Sequence, residues 1–134
     1  MIRLRRGFAL VVTLAVVGAT IVGAAAQADV SSHLRSATIT VQNGSLPPPA
    51  GRPHVYRYTT PAAVAKVKKA LRANHIAKRR ATSSVGCAGG LSVTLKLVAR
   101  RTQKLTAYEC GGHNYGGIAG NVTRFLSAVG ISTP

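Results

Sequence analysis

Two neighbouring stretches of the chain alternate apolar and polar residues with a period of two, which is typical of half-buried β-strands. Residues 91–98 (LSVTLKLV) place four apolar side chains on one face. After a turn at residues 99–102, residues 103–110 are predicted to return as the antiparallel partner strand. Residues 37–42 (ATITVQ) predict a further strand, and residues 55–59 (VYRYT) a possible fourth one.

Two other stretches repeat apolar residues at the spacing of an α-helix. In the first, Thr60 can cap a helix that begins with Pro61 and runs to about Ala77, since proline at the first helical position loses no hydrogen bond. In the second, apolar residues recur from Ile118 onwards, and Gly130 stands where a left-handed C-cap is expected.

This order of elements predicts an α+β domain, β-(β)-α-β-β-α, in which a small antiparallel sheet of three to four strands carries two helices on one face. We expect residues 29–36 to be a flexible leader and residues 37–134 to form the single domain. Loops are predicted at residues 43–53, which contain three consecutive prolines, at residues 81–90, and at the glycine-rich residues 111–117 (GGHNYGG).

Residues 1–28 have the three parts of a secretory signal peptide. Three arginines precede an uncharged apolar run at residues 8–26, and Ala-Gln-Ala then offers a cleavage site after Ala28. We therefore expect a secreted or extracytoplasmic bacterial protein of about 106 residues. The alternative is an uncleaved N-terminal membrane anchor, because the apolar run is nearly long enough to span a bilayer.

Cys87 and Cys110 are the only two cysteines, and both follow the predicted signal. Two lone cysteines in an oxidising compartment usually pair, which predicts one disulfide at the open base of the hairpin formed by residues 91–98 and 103–110. A free, nucleophilic Cys110 with His113 nearby is the competing interpretation.

Charge adds the strongest functional indication. The whole chain has eighteen Lys and Arg residues against two acids, Asp29 and Glu109. Removing the three arginines of the signal leaves a net charge of +13 with neutral histidines. Such a field attracts anionic partners, although an arginine-rich composition alone would produce the same charge.

The basic residues fall into two clusters. One lies along the first predicted helix and just after it, and the other, which includes Lys96, lies on the hairpin. The candidate anion-binding residues are Lys66, Lys69, Arg72, Lys78, Arg79, Arg80, Arg100, Arg101 and Lys104.

Enzymatic machinery is sparse in this sequence. Paired carboxylates, a nucleophile elbow, a phosphate-binding glycine loop and zinc-ligand spacing are all lacking, so we expect no enzyme, no metal and no cofactor. The best polar cluster is Glu109, His113 and Tyr115, at the end of a strand and in the loop after it.

These observations predict a non-enzymatic, exported binding domain for an anionic partner: a cell-envelope polymer, a lipid headgroup, an acidic protein or extracellular nucleic acid. The first alternative is a secreted inhibitor or interaction protein that presents residues 47–49 or 111–117. A small hydrolase using His113 and Glu109 is the remaining possibility.

Overall fold

The structure is a computed structural model that describes residues 30–44, 46–47, 51–83 and 89–133. The predicted signal peptide at residues 1–28 lies outside the described residues. The strands are β1 (Ser36–Asn43), β2 (His54–Tyr58), β3 (Ala77–Thr82), β4 (Leu91–Val98), β5 (Thr102–Cys110) and β6 (His113–Ala119). The helices are α1 (Pro61–Ala73) and α2 (Val122–Val129), and a helical turn precedes β1 at residues 30–33.

All six strands form one antiparallel sheet in the order β2-β1-β4-β5-β6-β3. The predicted sheet of three to four strands is therefore wrong, because β3 and β6 join the four segments that the alternation indicated. β4, β5 and β6 form a meander, whereas α1 carries the chain from the β2 edge of the sheet to the β3 edge. The α+β class itself holds for the described residues.

The start of α1 follows from local chemistry. The hydroxyl of Thr60 accepts a hydrogen bond from the backbone N–H of Ala63 (3.3 Å), and Pro61 occupies the first turn. The predicted end at about Ala77 is wrong, because the helix ends at Ala73 and Asn74 forms the C-cap. Backbone hydrogen bonds from residues 74–76 back to the last turn of α1 close this end, and the chain leaves in the direction of β3.

The stretch at residues 111–117 is not the loop that the four glycines suggested. Gly111 and Gly112, both with positive φ, make a tight turn, and β6 begins at His113. β6 then pairs with β5 on one side and β3 on the other. Ile118 consequently belongs to a strand, and α2 begins only at Val122.

Both helices lie on one face of the sheet, which we call the inner face. β1, β4 and β5 direct every second side chain to it, and the register aligns Ile39, Leu95 and Leu105 across these three strands. α1 contributes Val67 and α2 contributes Phe125, both fully buried in this cluster. Apolar burial against the two helices therefore fixes which face of each strand is inside.

Residues 30–35, which fall in the predicted leader, are held against this domain. Leu34 is buried in the core, and the backbone N–H of Arg35 donates to the carbonyl of Val98 (2.8 Å). This bond extends the β1–β4 ladder by one residue beyond Ser36.

No disulfide has both of its cysteines within the described residues. Cys110, at the end of β5, is present there and is not a free thiol. Cys87 lies outside the described residues, so the predicted bond between the two cysteines is not a feature of the described structure. The helices of the described ranges are also too short or too polar for any of them to cross a membrane.

Gly120 joins β6 to α2 with φ +93°, and its Cα lies close to two backbone carbonyls. A Cβ at this position would lie 2.4 Å from the oxygen of Asn74 and 2.5 Å from that of His75. We expect Gly120→Ala to reduce the free energy of unfolding by about 3 kcal/mol or more, because the positive φ alone costs an L-residue about 1–3 kcal/mol and the contact adds to it. Urea denaturation followed by circular dichroism measures the change.

The matched control is Gly112→Ala. Gly112 also has a positive φ, +79°, but a Cβ there would meet nothing within 4 Å. This variant should lose only the conformational part, about 1–3 kcal/mol. Equal losses in the two variants would contradict the close packing of Gly120 against the end of α1.

Candidate functional site

The face of the sheet opposite the helices, which we call the outer face, is polar, and no described element covers it. β1 and β4 present mainly polar side chains there, because their apolar residues, except Val98 at the end of β4, point to the inner face. The central positions, Thr40, Thr94 and Thr106, are cross-strand neighbours. A hydroxylated surface about four strands wide is therefore accessible to a partner.

A row of cations crosses this outer face. The register places Arg57 opposite Thr38, Thr38 opposite Lys96, and Lys96 directly opposite Lys104. Arg57, Lys96 and Lys104 are all exposed. With strands about 4.8 Å apart, the line from Arg57 through Thr38 and Lys96 to Lys104 spans about 14 Å at right angles to the strands. We call these three cations the outer row.

No carboxylate balances the outer row within the described structure. The described residues contain fifteen Lys and Arg residues and a single acid, Glu109. Glu109 lies on the inner face, since it is paired with Leu91 and is two residues from Ala107, a core residue. Like charges that lie directly opposite each other destabilise a sheet, so the repulsion between Lys96 and Lys104 lowers the stability of the free domain.

Several cations of α1 are engaged within the domain. Lys68 Nζ donates to the carbonyl of Ser32 (3.1 Å), and Arg72 Nε donates to the hydroxyl of Ser31 (3.5 Å). The ammonium group of Lys66 lies beside Gly130, at the negative end of the α2 dipole. Of the predicted helix candidates, Lys69 is left exposed on the surface with no such role.

On β3 the three consecutive candidates have different surroundings. The guanidinium of Arg79 donates to the carbonyls of Gly116 (3.0 Å) and Asn114 on β6, where it helps to hold the irregular β3–β6 pairing together. Lys78 and Arg80 are exposed on this edge strand. Arg79 is therefore a structural arginine, whereas its two neighbours are available to a ligand.

The tip of the β4–β5 hairpin borders a cleft of about 510 Å³. We call it the hairpin cleft. Its lining residues come from the helical turn, β3 and the hairpin: Val30, Lys78, Ala99, Arg100, Arg101, Thr102 and Gln103. The fold thus brings Lys78 of the first basic cluster to the same cleft as Arg100 and Arg101 of the second.

The predicted polar cluster is not assembled. Glu109 points to the inner face, whereas His113 and Tyr115 follow the alternation of β6 to the outer face, opposite Cys110 and Tyr108. The sheet therefore lies between the carboxylate and the imidazole, and the hydrolase hypothesis loses the proximity on which it depended.

Glu109 instead forms a small buried network with α2. The hydroxyl of Thr123 donates to its Oε1 atom. Asn114, its cross-strand neighbour, donates to the carbonyls of Ile118 (2.9 Å) and Gly120 (3.2 Å). Glu109 Oε2 and Asn114 Oδ1 are buried acceptors for which the described part of the chain supplies no hydrogen-bond donor. Thr123 is therefore the donor on which the buried carboxylate depends.

The four tyrosines do not form a row for stacking bases. Tyr56 and Tyr58 share the inner face. The pKa of Tyr58 is raised there, mainly by burial and to a smaller extent by the neighbouring Tyr56. The hydroxyl of Tyr58 donates to the carbonyl of Val129 (3.3 Å). Tyr108 is on the outer face but is held over Gly90, whose N–H donates to its hydroxyl (3.1 Å). Tyr115 is half-buried beside it.

Sequence reasoning singled out the hairpin cations but missed Arg57 as a site residue. Its position in the outer row follows only from the β1–β2 register, which the alternation of residues 55–59 does not give. Across the described ranges, no group of three His, Cys, Asp or Glu side chains is arranged to hold a metal ion.

Comparison of the chain with protein-family models, with curated proteins and with solved structures found no match.

Thr123→Val should destabilise the domain by about 1–3 kcal/mol, because the buried Glu109 carboxylate would lose its donor while the shape of the side chain is kept. Thr123→Ser keeps the hydroxyl and should lose less than half as much. Thermal denaturation of both variants measures the difference. If the Thr123→Val and Thr123→Ser variants had equal melting temperatures, the Thr123 hydroxyl would not be stabilising the Glu109 carboxylate.

Proposed function

We propose that this protein is an exported, non-enzymatic binding domain that holds an anionic polymer of the cell envelope against the outer face of its sheet. The observation that carries the proposal is the outer row, in which Lys96 lies directly opposite Lys104 and Arg57 lies in the same line. Export rests on the sequence pattern of residues 1–28.

A polyanion would relieve an electrostatic cost that the free domain bears. Two lysines at directly opposed positions repel each other, and the single described acid lies on the other side of the sheet. Negative groups placed along the outer row would turn this repulsion into attraction with both lysines at once. Threonine hydroxyls beside the row add neutral hydrogen-bond donors.

A polymer fits this surface better than a membrane or a base-stacking nucleic acid. In the described ranges the exposed large apolar side chains are Leu46 and Val55, too few to enter a lipid interface. Tyr108 is already occupied with Gly90, which leaves little aromatic surface for bases. A cationic row of this kind needs only a flexible chain with repeated negative charges.

The test compares two double variants that remove the same charge. Lys96→Gln/Lys104→Gln disrupts the outer row, and Lys69→Gln/Arg124→Gln changes exposed positions of the two helices. Binding of inorganic polyphosphate is measured by titration calorimetry over a range of salt concentrations. We expect the row variant to lower the slope of log affinity against log salt by about 1.4, the value for two lost phosphate contacts. The helix variant should change it much less.

Three outcomes would overturn the proposal: no binding of polyphosphate by the unchanged protein, equal weakening in the two variants, or tighter binding to phosphatidylglycerol vesicles than to the polymer. Thermal melts serve as the folding control. The row variant should be at least as stable as the parent, since it removes a repulsive cross-strand pair.

A further inference from the structure

The hairpin cleft lies on the helix side of the sheet, apart from the outer row. Lys78 reaches it from the β3 edge, where it is paired with the core residue Ile118. Gln103, at its other side, follows the inner-face alternation of β5, two residues from Leu105. The cleft is therefore a second surface, which a partner on the outer face would not fill.

Its lining has the chemistry of an anion site. Lys78 and Arg101 are exposed cations from different parts of the chain, and Arg100 also lines the cleft. Gln103 contributes an amide and Thr102 a hydroxyl, so neutral donors accompany the charges. Among the described residues that line the cleft, none carries a carboxylate. An arginine and a lysine that converge in this way form a typical receptor for phosphate oxygens.

The size of the cleft narrows the ligand class further. Its volume of about 510 Å³ is well within the usual range of small-molecule sites, about 300–1,000 Å³. A bare phosphate would fill little of it. Val30 and Ala99 supply an apolar wall beside the charged groups, against which a carbon skeleton can pack. The ligand should therefore carry both a negative group and a compact body.

We propose that the hairpin cleft binds one phosphate group together with the polyol or sugar that carries it, with Lys78 and Arg101 on the phosphate and Gln103 on a hydroxyl. This inference deepens the proposed function, on which it rests, because it names the chemical unit of the anionic polymer that the domain would recognise. The outer row supplies charge along the polymer, and the hairpin cleft selects the unit.

The test uses glycerol 1-phosphate as the probe and the full exported chain as the protein. Backbone amide spectra in ¹⁵N-labelled protein should show shifts at Lys78 and at residues 99–103. Lys78→Gln/Arg101→Gln should weaken binding about tenfold or more, since two charge-assisted hydrogen bonds are lost. Inorganic phosphate should bind more weakly than glycerol 1-phosphate, because it makes no contact with the apolar wall.

Arg80→Gln/Arg52→Gln is the matched control, which removes one cation from β3 and one from a loop outside the cleft. It should bind glycerol 1-phosphate like the parent, as should Lys96→Gln/Lys104→Gln. The inference is overturned if the control weakens binding as much as the cleft variant, or if the shifts lie on the outer face. It falls alone if glycerol 1-phosphate does not bind while polyphosphate still depends on the outer row.

Discussion

The whole structure depends on the burial of one side of the sheet beneath α1 and α2. Phe125 and Val67 from the helices are fully enclosed against Ile39 and Leu95 from the strands. Because the pleat sends alternate side chains to opposite faces, this burial determines both sides of every strand at once. The outer face is polar for that reason, and the same register that buries the apolar row aligns the cations of the outer row.

The charge distribution follows from the same asymmetry. An acid on the outer face could neutralise Lys96 and Lys104, yet the single described acid, Glu109, is on the inner face and depends on Thr123. The cations of α1, by contrast, are partly used within the domain. Part of the excess charge therefore lies on the open sheet face, and another part lies around the hairpin tip, where Arg100 and Arg101 line the hairpin cleft.

The sequence pattern predicted those elements whose stability is local. The cap at Thr60 and the alternation of residues 91–98 each carry their structural signal within a few residues, and the structure agrees with them. β3 was missed because AKRRAT has no apolar alternation and is a strand only by pairing with β6. β6 was missed because glycine-rich segments usually form loops. The hairpin cations were named as candidates from the sequence and stay a prediction, whereas the outer row and the hairpin cleft required the strand order.

The strand order also determines when each part of the sheet can form. The meander of β4, β5 and β6 closes over short turns, so it can assemble early and without help from distant residues. β3 has to wait, since Ala77 pairs with Ala119, and β1 waits likewise, since Ser36 pairs with Val98. The N-terminal half therefore completes its pairing with β4 and β6 only after the C-terminal half exists, although β1 and β2 can pair with each other beforehand.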